Sequence, residues 1–182
     1  MNNIFSNMAT SSKNTIYLSL TASLFACSLL LNLSNKLVAC SLCFVFIAFC
    51  ANLIAELYGK KRAIATIALC SLATFIVSWK TLDLMLLVSF FSVLLSCYGA
   101  ISISSKLTSM PFQMRNLLSL SIASTIDSLI MSTSLLNKFS VHKSILIGFK
   151  DLMFKFSYLS VTSLCLCAAL YLASSLRSRD SY

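Results

Sequence analysis

The sequence predicts an all-α integral membrane protein with six transmembrane helices. Of its 182 residues, 58% are hydrophobic and 10% are charged, and the mean hydropathy is +0.90, whereas soluble domains have about 45–50% apolar residues. This composition leaves too little polar surface for a soluble globular domain or a disordered chain. The chain contains three Gly and one Pro, which are too few turn residues for an all-β protein.

Six apolar runs account for most of the chain. Crossing a hydrocarbon core of about 30 Å takes about 20 helical residues. The runs of suitable length are residues 14–34, 37–58, 63–79, 82–104, 117–136 and 152–175. We therefore predict one membrane domain over residues 14–175, with a polar N-terminal tail of residues 1–13 and a cytoplasmic C-terminal tail of residues 176–182.

The distribution of Lys and Arg predicts the orientation, because short loops rich in these residues remain cytoplasmic. With the N-terminus inside, eight basic residues lie on the inner side and five on the outer side. The inner set is Lys13, Lys60, Lys61, Arg62, Lys106, Arg115, Arg177 and Arg179, and the outer set is Lys36, Lys80, Lys138, Lys143 and Lys150. We expect both termini in the cytoplasm. Because the net charge of +9 is scattered between apolar runs, we expect no nucleic-acid partner.

The cysteines and the missing motifs argue against several other classes of protein. All eight Cys residues lie inside apolar runs, so we expect buried thiols rather than a disulfide framework. The spacing Cys40-x-x-Cys43 has no second pair and no nearby His, so we expect no metal site. The sequence has no HExxH motif and no phosphate-binding Gly loop, and its single His142 lies in a predicted outer loop. We therefore expect neither an enzyme nor a cofactor.

Asp127 is the most informative residue, because it lies about midway along the fifth apolar run. An ionised carboxylate at the bilayer centre costs at least ~2.5 kcal/mol. Asp127 must therefore face the bundle interior or a watery cavity, and it must be paired or protonated. Two interpretations stay open, a polar contact that joins helices and a site for a ligand or proton. Ser124 lies within one turn of Asp127.

Two further groups of polar residues occur in the second and sixth runs. Glu56 precedes Lys60 by four residues, which predicts an ion pair at a helix end. Asn52 lies one turn deeper on the same face as Glu56, and together they form a polar stripe of the kind that lines a cavity. Asp151 and Lys155 are also four residues apart, so they can pair with each other, or Lys155 can extend towards water.

Residues 44–63 resemble the signature of the queuosine precursor transporter family, also known as VUT, for vitamin uptake transporter. In that family the second span ends in a string like D-(I/L)-x-x-E-x-Y-G-x-K-x-(A)-R, and residues 56–62 here read E-L-Y-G-K-K-R. Other similar stretches occur in the family's order. One precedes this segment, at residues 34–37, and two follow it, at residues 124–130 (S-T-I-D-S-L-I) and at residues 151–155 (D-L-M-F-K). The resemblance covers about residues 30–172.

The resemblance implies import of a 7-deazaguanine, such as preQ0, preQ1 or queuine, across a bacterial cytoplasmic (inner) membrane. It also implies a fold similar to the substrate-binding subunits of energy-coupling-factor transporters. Whether the chain acts as a homo-oligomer or with an energy-coupling partner stays open. A purine-like base has donors that a carboxylate can accept and a flat face that suits aromatic rings. We therefore expect substrate binding by Asp127, Glu56, Asn52, Lys155, Ser124, Phe46 and Phe49.

The chain departs from this family at several polar positions. The family usually has an acidic residue in place of Asn52, a Gln and an Asp in place of Cys97 and Ala100, and a proline in place of Cys165. The chain can be a divergent member, a subunit that needs a partner, or a decaying copy. Two other functions also stay open, a transporter or binding subunit for another vitamin or nucleobase, and a non-transporting membrane scaffold.

Overall fold

The computed structural model describes residues 10–34, 36–78 and 84–179, and its regular secondary structure is helical throughout. In chain order the helices are α1 (Thr10–Leu33), α2 (Leu37–Tyr58), α3 (Lys60–Val77), α4 (Leu84–Lys106), α5 (Phe112–Leu135) and α6 (Val141–Arg179). The described residues contain no strand. The predicted all-α fold class is therefore confirmed.

Four helices are long and apolar enough to cross a membrane, as expected of a multi-pass membrane protein. They are α1, α2, α4 and α5. α3 has only 18 residues and begins with Lys60, Lys61 and Arg62. α6 has 39 residues and carries Lys143 and Lys150 in its first half. Within the described part of the chain, α3 and α6 are not among the helices that are long and apolar enough to cross a membrane. The six-span topology therefore stays a prediction.

α5 and α6 begin earlier than the apolar runs predicted. α5 starts at Phe112 rather than residue 117, directly after Pro111, whose φ is −61°. α6 starts at Val141 rather than residue 152, so His142 lies in a helix and not in a loop. Hydropathy finds the part of a helix that suits lipid, whereas the helix continues until a turn or a breaker ends it. The predicted boundary between spans three and four, at Lys80 and Thr81, lies outside the described residues.

α2 is the central helix of the bundle, because it packs against α1, α3, α4, α5 and α6. It is the most hydrophobic of the four apolar helices and has the largest buried share among them, as expected of a helix that is apolar on most of its surface. Buried residues occur along its whole length, and they are Ser41, Phe44, Val45, Ile47, Ala48, Cys50, Ala51, Asn52 and Ile54.

The cysteines are free thiols, but the expectation that all of them are buried is wrong. Cys50, Cys70 and Cys97 are buried, whereas Cys165 and Cys167 are exposed on α6. An exposed thiol on an apolar helix is compatible with a lipid-facing surface, because Cys behaves as a small hydrophobic side chain. Among residues 10–34, 36–78 and 84–179, no three Cys, His, Asp or Glu side chains form a group that could hold a metal ion.

A single residue, Gly59, connects α2 to α3. Its φ is +92° and its ψ is 155°, a backbone conformation that is essentially restricted to Gly. A Cβ atom at this position would meet no atom within 4 Å, so the constraint comes from the backbone and not from crowding. This sharp corner explains the glycine in the E-L-Y-G-K-K-R segment, because it lets the basic residues begin the next helix.

We expect Gly59→Ala to destabilise the protein by ~1–3 kcal/mol, because the new side chain strains the corner. Gly99→Ala is the matched control. A Cβ at Gly99 meets only the tip of Ile126, at 3.4 Å, and Ala is favoured over Gly in a helix by ~1 kcal/mol. Thermal unfolding of the two purified variants in detergent measures both effects. Equal melting temperatures would contradict the strain assigned to Gly59.

Candidate functional site

A cavity of about 640 Å³ opens at one end of the bundle. Its walls come from the last turn of α1, the C-terminal half of α5, and the N-terminal parts of α2, α4 and α6. These five segments meet on the same side of the bundle because successive helices alternate in direction. Known ligand pockets have volumes of about 300–1,000 Å³, so this cavity has the size of a site for a small organic solute.

The floor of the cavity is a cluster of three charged residues, Asp127 on α5 and Asp151 and Lys155 on α6. The Lys155 Nζ donates to Asp127 Oδ2 at 2.5 Å and also donates to Asp151 Oδ2. The three residues are only 6%, 5% and 2% exposed, respectively. Asp127 is thus paired, as its depth requires, and it also lines a cavity. Both open interpretations of Asp127 describe part of its environment.

Serine hydroxyls from three helices complete the charged cluster. Ser41 on α2 donates to Asp151 Oδ1 at 2.7 Å, and Ser128 on α5 donates to Asp151 Oδ2 at 2.6 Å. Ser92 on α4 donates to Asp127 Oδ1. The cluster therefore joins α2, α4, α5 and α6. Buried carboxylates that accept several hydrogen bonds keep fixed positions, which gives the cavity a rigid polar floor.

The charged cluster carries one more negative charge than positive charge when all three groups are ionised. Lys155 cannot reach water easily, and its ammonium also lies 4.8 Å from the centre of the Phe44 ring, a favourable cation–π arrangement. Each carboxylate oxygen has two lone pairs, so the floor can still accept hydrogen bonds from a solute. The described walls are mainly aliphatic, with Leu37, Met131 and Ile147 among them, and include no aromatic ring.

A close approach of α5 and α6 forms one wall of the cavity. A Cβ atom on Gly148 would lie 2.6 Å from the Ser132 Cβ and 3.2 Å from its Oγ. Both residues line the cavity, and Ser128 lies one turn from Ser132 on the same face of α5. Small residues let the two helices approach closely, and this contact brings Asp127 within reach of Lys155.

We expect Gly148→Ala to destabilise the protein by ~1–3 kcal/mol, because the added methyl group overpacks the contact between α5 and α6. The second substitution Ser132→Gly removes both atoms that the methyl would meet. The remaining neighbour, the Ser128 carbonyl oxygen at 3.7 Å, is at an ordinary contact distance. Thermal unfolding should therefore show partial recovery in the double variant. Additive losses in the two single variants and the double variant would contradict this explanation.

A second polar cluster lies towards the other end of α2 and α5. The Asn52 carboxamide on α2 donates to Asn116 Oδ1 and to Ser119 Oγ on α5, each at 2.8 Å. One turn further along α2, Glu56 pairs with Nη2 of Arg115. The predicted pairing of Glu56 with Lys60 is therefore wrong. Instead, the Lys60 Nζ lies 5.7 Å from the centre of the Tyr98 ring, because the corner at Gly59 turns it onto another helix.

Only two of the seven predicted substrate-binding residues, Asp127 and Lys155, line the cavity. Asn52 and Glu56 belong to the second polar cluster. Ser124 is buried, and its hydroxyl has no hydrogen-bond partner among the described residues. Phe46 is 39% exposed on the outer surface of the bundle, and Phe49 is half-buried against the hydrophobic core. The expected stacking of a base between Phe46 and Phe49 therefore has no basis in this cavity.

The sequence indicated that Asp151 can pair with Lys155, as it does, but it did not identify the serines that complete the charged cluster. Asp151 was recognisable only through its spacing of four residues from Lys155. Ser128 follows Asp127 directly in the sequence, but nothing in the pattern distinguishes it from many other serines. Ser41 and Ser92 come from two other helices, and no local pattern links them to Asp127. Their role depends on how the helices pack.

No protein-family model, curated protein or solved structure matches the chain. The resemblance to queuosine precursor transporters therefore stays a prediction from the residues.

Proposed function

We propose that the chain is a multi-pass carrier of the bacterial cytoplasmic membrane that imports a 7-deazaguanine such as preQ0, preQ1 or queuine. The observation that carries the proposal is a cavity of about 640 Å³ with a floor formed by Asp127, Asp151 and Lys155. Ionisable residues at membrane depth generally meet a solute, an ion or one another. Here they meet one another and also border open space.

The direction of the cavity fits import. If all six helices cross the bilayer with both termini inside, α1 and α5 end on the outer side, where α2, α4 and α6 begin. The cavity would then open to the outside and accept solute from there. The excess of basic residues on the inner side, eight against five, supports this orientation.

The chemistry of the cavity floor suits the polar edge of a purine-like base. Such an edge presents an amide N–H and an amino group, and the carboxylates of Asp127 and Asp151 can accept from both donors. Lys155 uses its three N–H donors on Asp127, Asp151 and Ser128, so it holds the acceptors in place and does not itself donate to the solute. The aliphatic walls can cover the flat face of the base. In this proposal Asn52, Glu56, Phe46 and Phe49 do not contact the bound solute in the outward-open state.

Uptake tests the proposal directly. The chain is expressed in cells that cannot make the precursor, the cells receive preQ0, preQ1 or queuine, and queuosine is measured in their tRNA. We expect at least one compound to restore queuosine. No restoration by any of the three, with normal amounts of the chain in the membrane, would refute import of these compounds.

We expect Asp127→Asn to lower uptake by at least about tenfold, because Asn loses the negative charge and one acceptor while it introduces a donor. The fold should persist, since Lys155 keeps its ion pair with Asp151 and the variant removes the unbalanced charge. Phe46→Leu is the control, because it changes an exposed apolar side chain that does not line the cavity. Uptake assays and membrane abundance are measured for both variants.

The same variants separate the carrier from a membrane scaffold. If the native chain gives no uptake above cells that lack it and Asp127→Asn leaves its assembly unchanged, the scaffold is favoured, because the polar groups would then serve only to join helices. Competition by unlabelled vitamins and nucleobases in the uptake assay would identify a different solute of the same transporter class.

A further inference from the structure

We propose that the second polar cluster is the inner gate of the carrier, and that the gate opens by separation of α2 from α5. This cluster consists of Glu56, Arg115, Asn52, Asn116 and Ser119. The inference rests on the proposed function, because it assigns the cluster to the closed side of a carrier whose other side is open.

The two polar clusters lie in opposite halves of the bundle. On α5, Arg115 and Asp127 are twelve residues apart, a separation of about 18 Å along a helix. On α2, Ser41 and Glu56 are fifteen residues apart, or about 22 Å. Compared with a hydrocarbon core of about 30 Å, these separations put the second cluster near one membrane surface and leave the charged floor of the cavity deeper, on the side of the other surface.

The contacts between α2 and α5 differ at the two ends. At the end away from the cavity, the side chains of α2 bond directly to α5 through Glu56–Arg115 and through both hydrogen bonds of Asn52. At the cavity end, Ser41 on α2 and Ser128 on α5 do not bond to each other but meet through Asp151 on α6. The described contacts thus join α2 directly to α5 at the end away from the cavity. At the cavity end, α2 and α5 are connected only through Asp151 of α6.

Buried polar atoms without partners support a second arrangement of this region. Among the described residues, Asn52 Oδ1, Arg115 Nε and Ser124 Oγ are buried and lack a hydrogen-bond partner. Most buried polar groups in native structures have partners, so each exception needs a reason. Two of these atoms belong to the gate itself, and Ser124 lies on α5 between Arg115 and Asp127. Separation of α2 from α5 would expose them to water and to the passing solute.

Breaking the gate should close the cavity on the other side, because a carrier that opens inward cannot stay open outward. Cys40 reports this change, since it lines the cavity and is half-buried. The full chain in lipid nanodiscs is treated with a water-soluble methanethiosulfonate, and peptide mass spectrometry measures the rate of modification at each cysteine. No solute is added, so the readout does not depend on transport.

We expect Glu56→Gln and Arg115→Gln each to slow the modification of Cys40 by several fold relative to the native chain. The exchange variant Glu56→Arg with Arg115→Glu should restore the rate, because it rebuilds the ion pair. Asn52→Ala should act in the same direction without leaving a charge unpaired, which keeps the test decisive if the charge variants fold poorly. Tyr17→Phe is the matched control, because it removes the hydrogen bond to Thr66 without touching the contact of α2 with α5.

Unchanged modification of Cys40 in the gate variants would overturn the proposal. Faster modification of Cys40 together with the buried Cys50 and Cys97 would also overturn it, because general loosening would then explain the effect. If the gate variants slow the modification of Cys40 but no compound restores queuosine in the uptake assay, the gate proposal stands and the proposed solute is rejected. Restored queuosine with an unresponsive Cys40 would retain the function and reject the gate.

Discussion

The rest of the structure depends on the ion pairs that the buried ammonium of Lys155 makes. Two carboxylates, Asp127 and Asp151, surround it, and all three groups are almost fully buried. An isolated charge at this depth would be costly, so the ammonium and the carboxylates must stay in contact. α5 and α6 must therefore stay in one register. Gly148 permits the close approach that this register requires.

For apolar helices in a bilayer, polar contacts such as these decide which helices pack together. Lipid tails are as apolar as Leu or Ile, so hydrophobic burial gives little preference for one arrangement of helices over another. Hydrogen bonds and ion pairs supply that preference. One cluster joins four helices beneath the cavity, and the other joins α2 to α5 at the far end. With direct contacts between α2 and α5 at one end and a cavity at the other, the bundle can be open at one end while it is closed at the other.

Individual residues illustrate how far the sequence could lead. The depth of Asp127 in an apolar run identified it as a residue that faces a cavity or a partner, and it has both. Lys155 was recognisable from its spacing of four residues from Asp151 and from the family resemblance. Glu56 was assigned the wrong partner, because helical spacing favours Lys60 whereas the corner at Gly59 carries Lys60 away and leaves Arg115 of α5 within reach. Phe46 was expected to bind solute, but the rotation of α2 turns it outwards.

The sequence by itself determined the helical class, the apolar segments and the rarity of charge within them. These properties follow from composition and local spacing, which decide which segments can be buried in an apolar environment. Only the tertiary structure decided which polar side chains meet. The members of the cluster Ser41, Ser92, Asp127 and Asp151 come from four different helices. The tertiary structure also decided where the empty volume lies. A cavity is the space that packed helices leave between them, and no single segment encodes it.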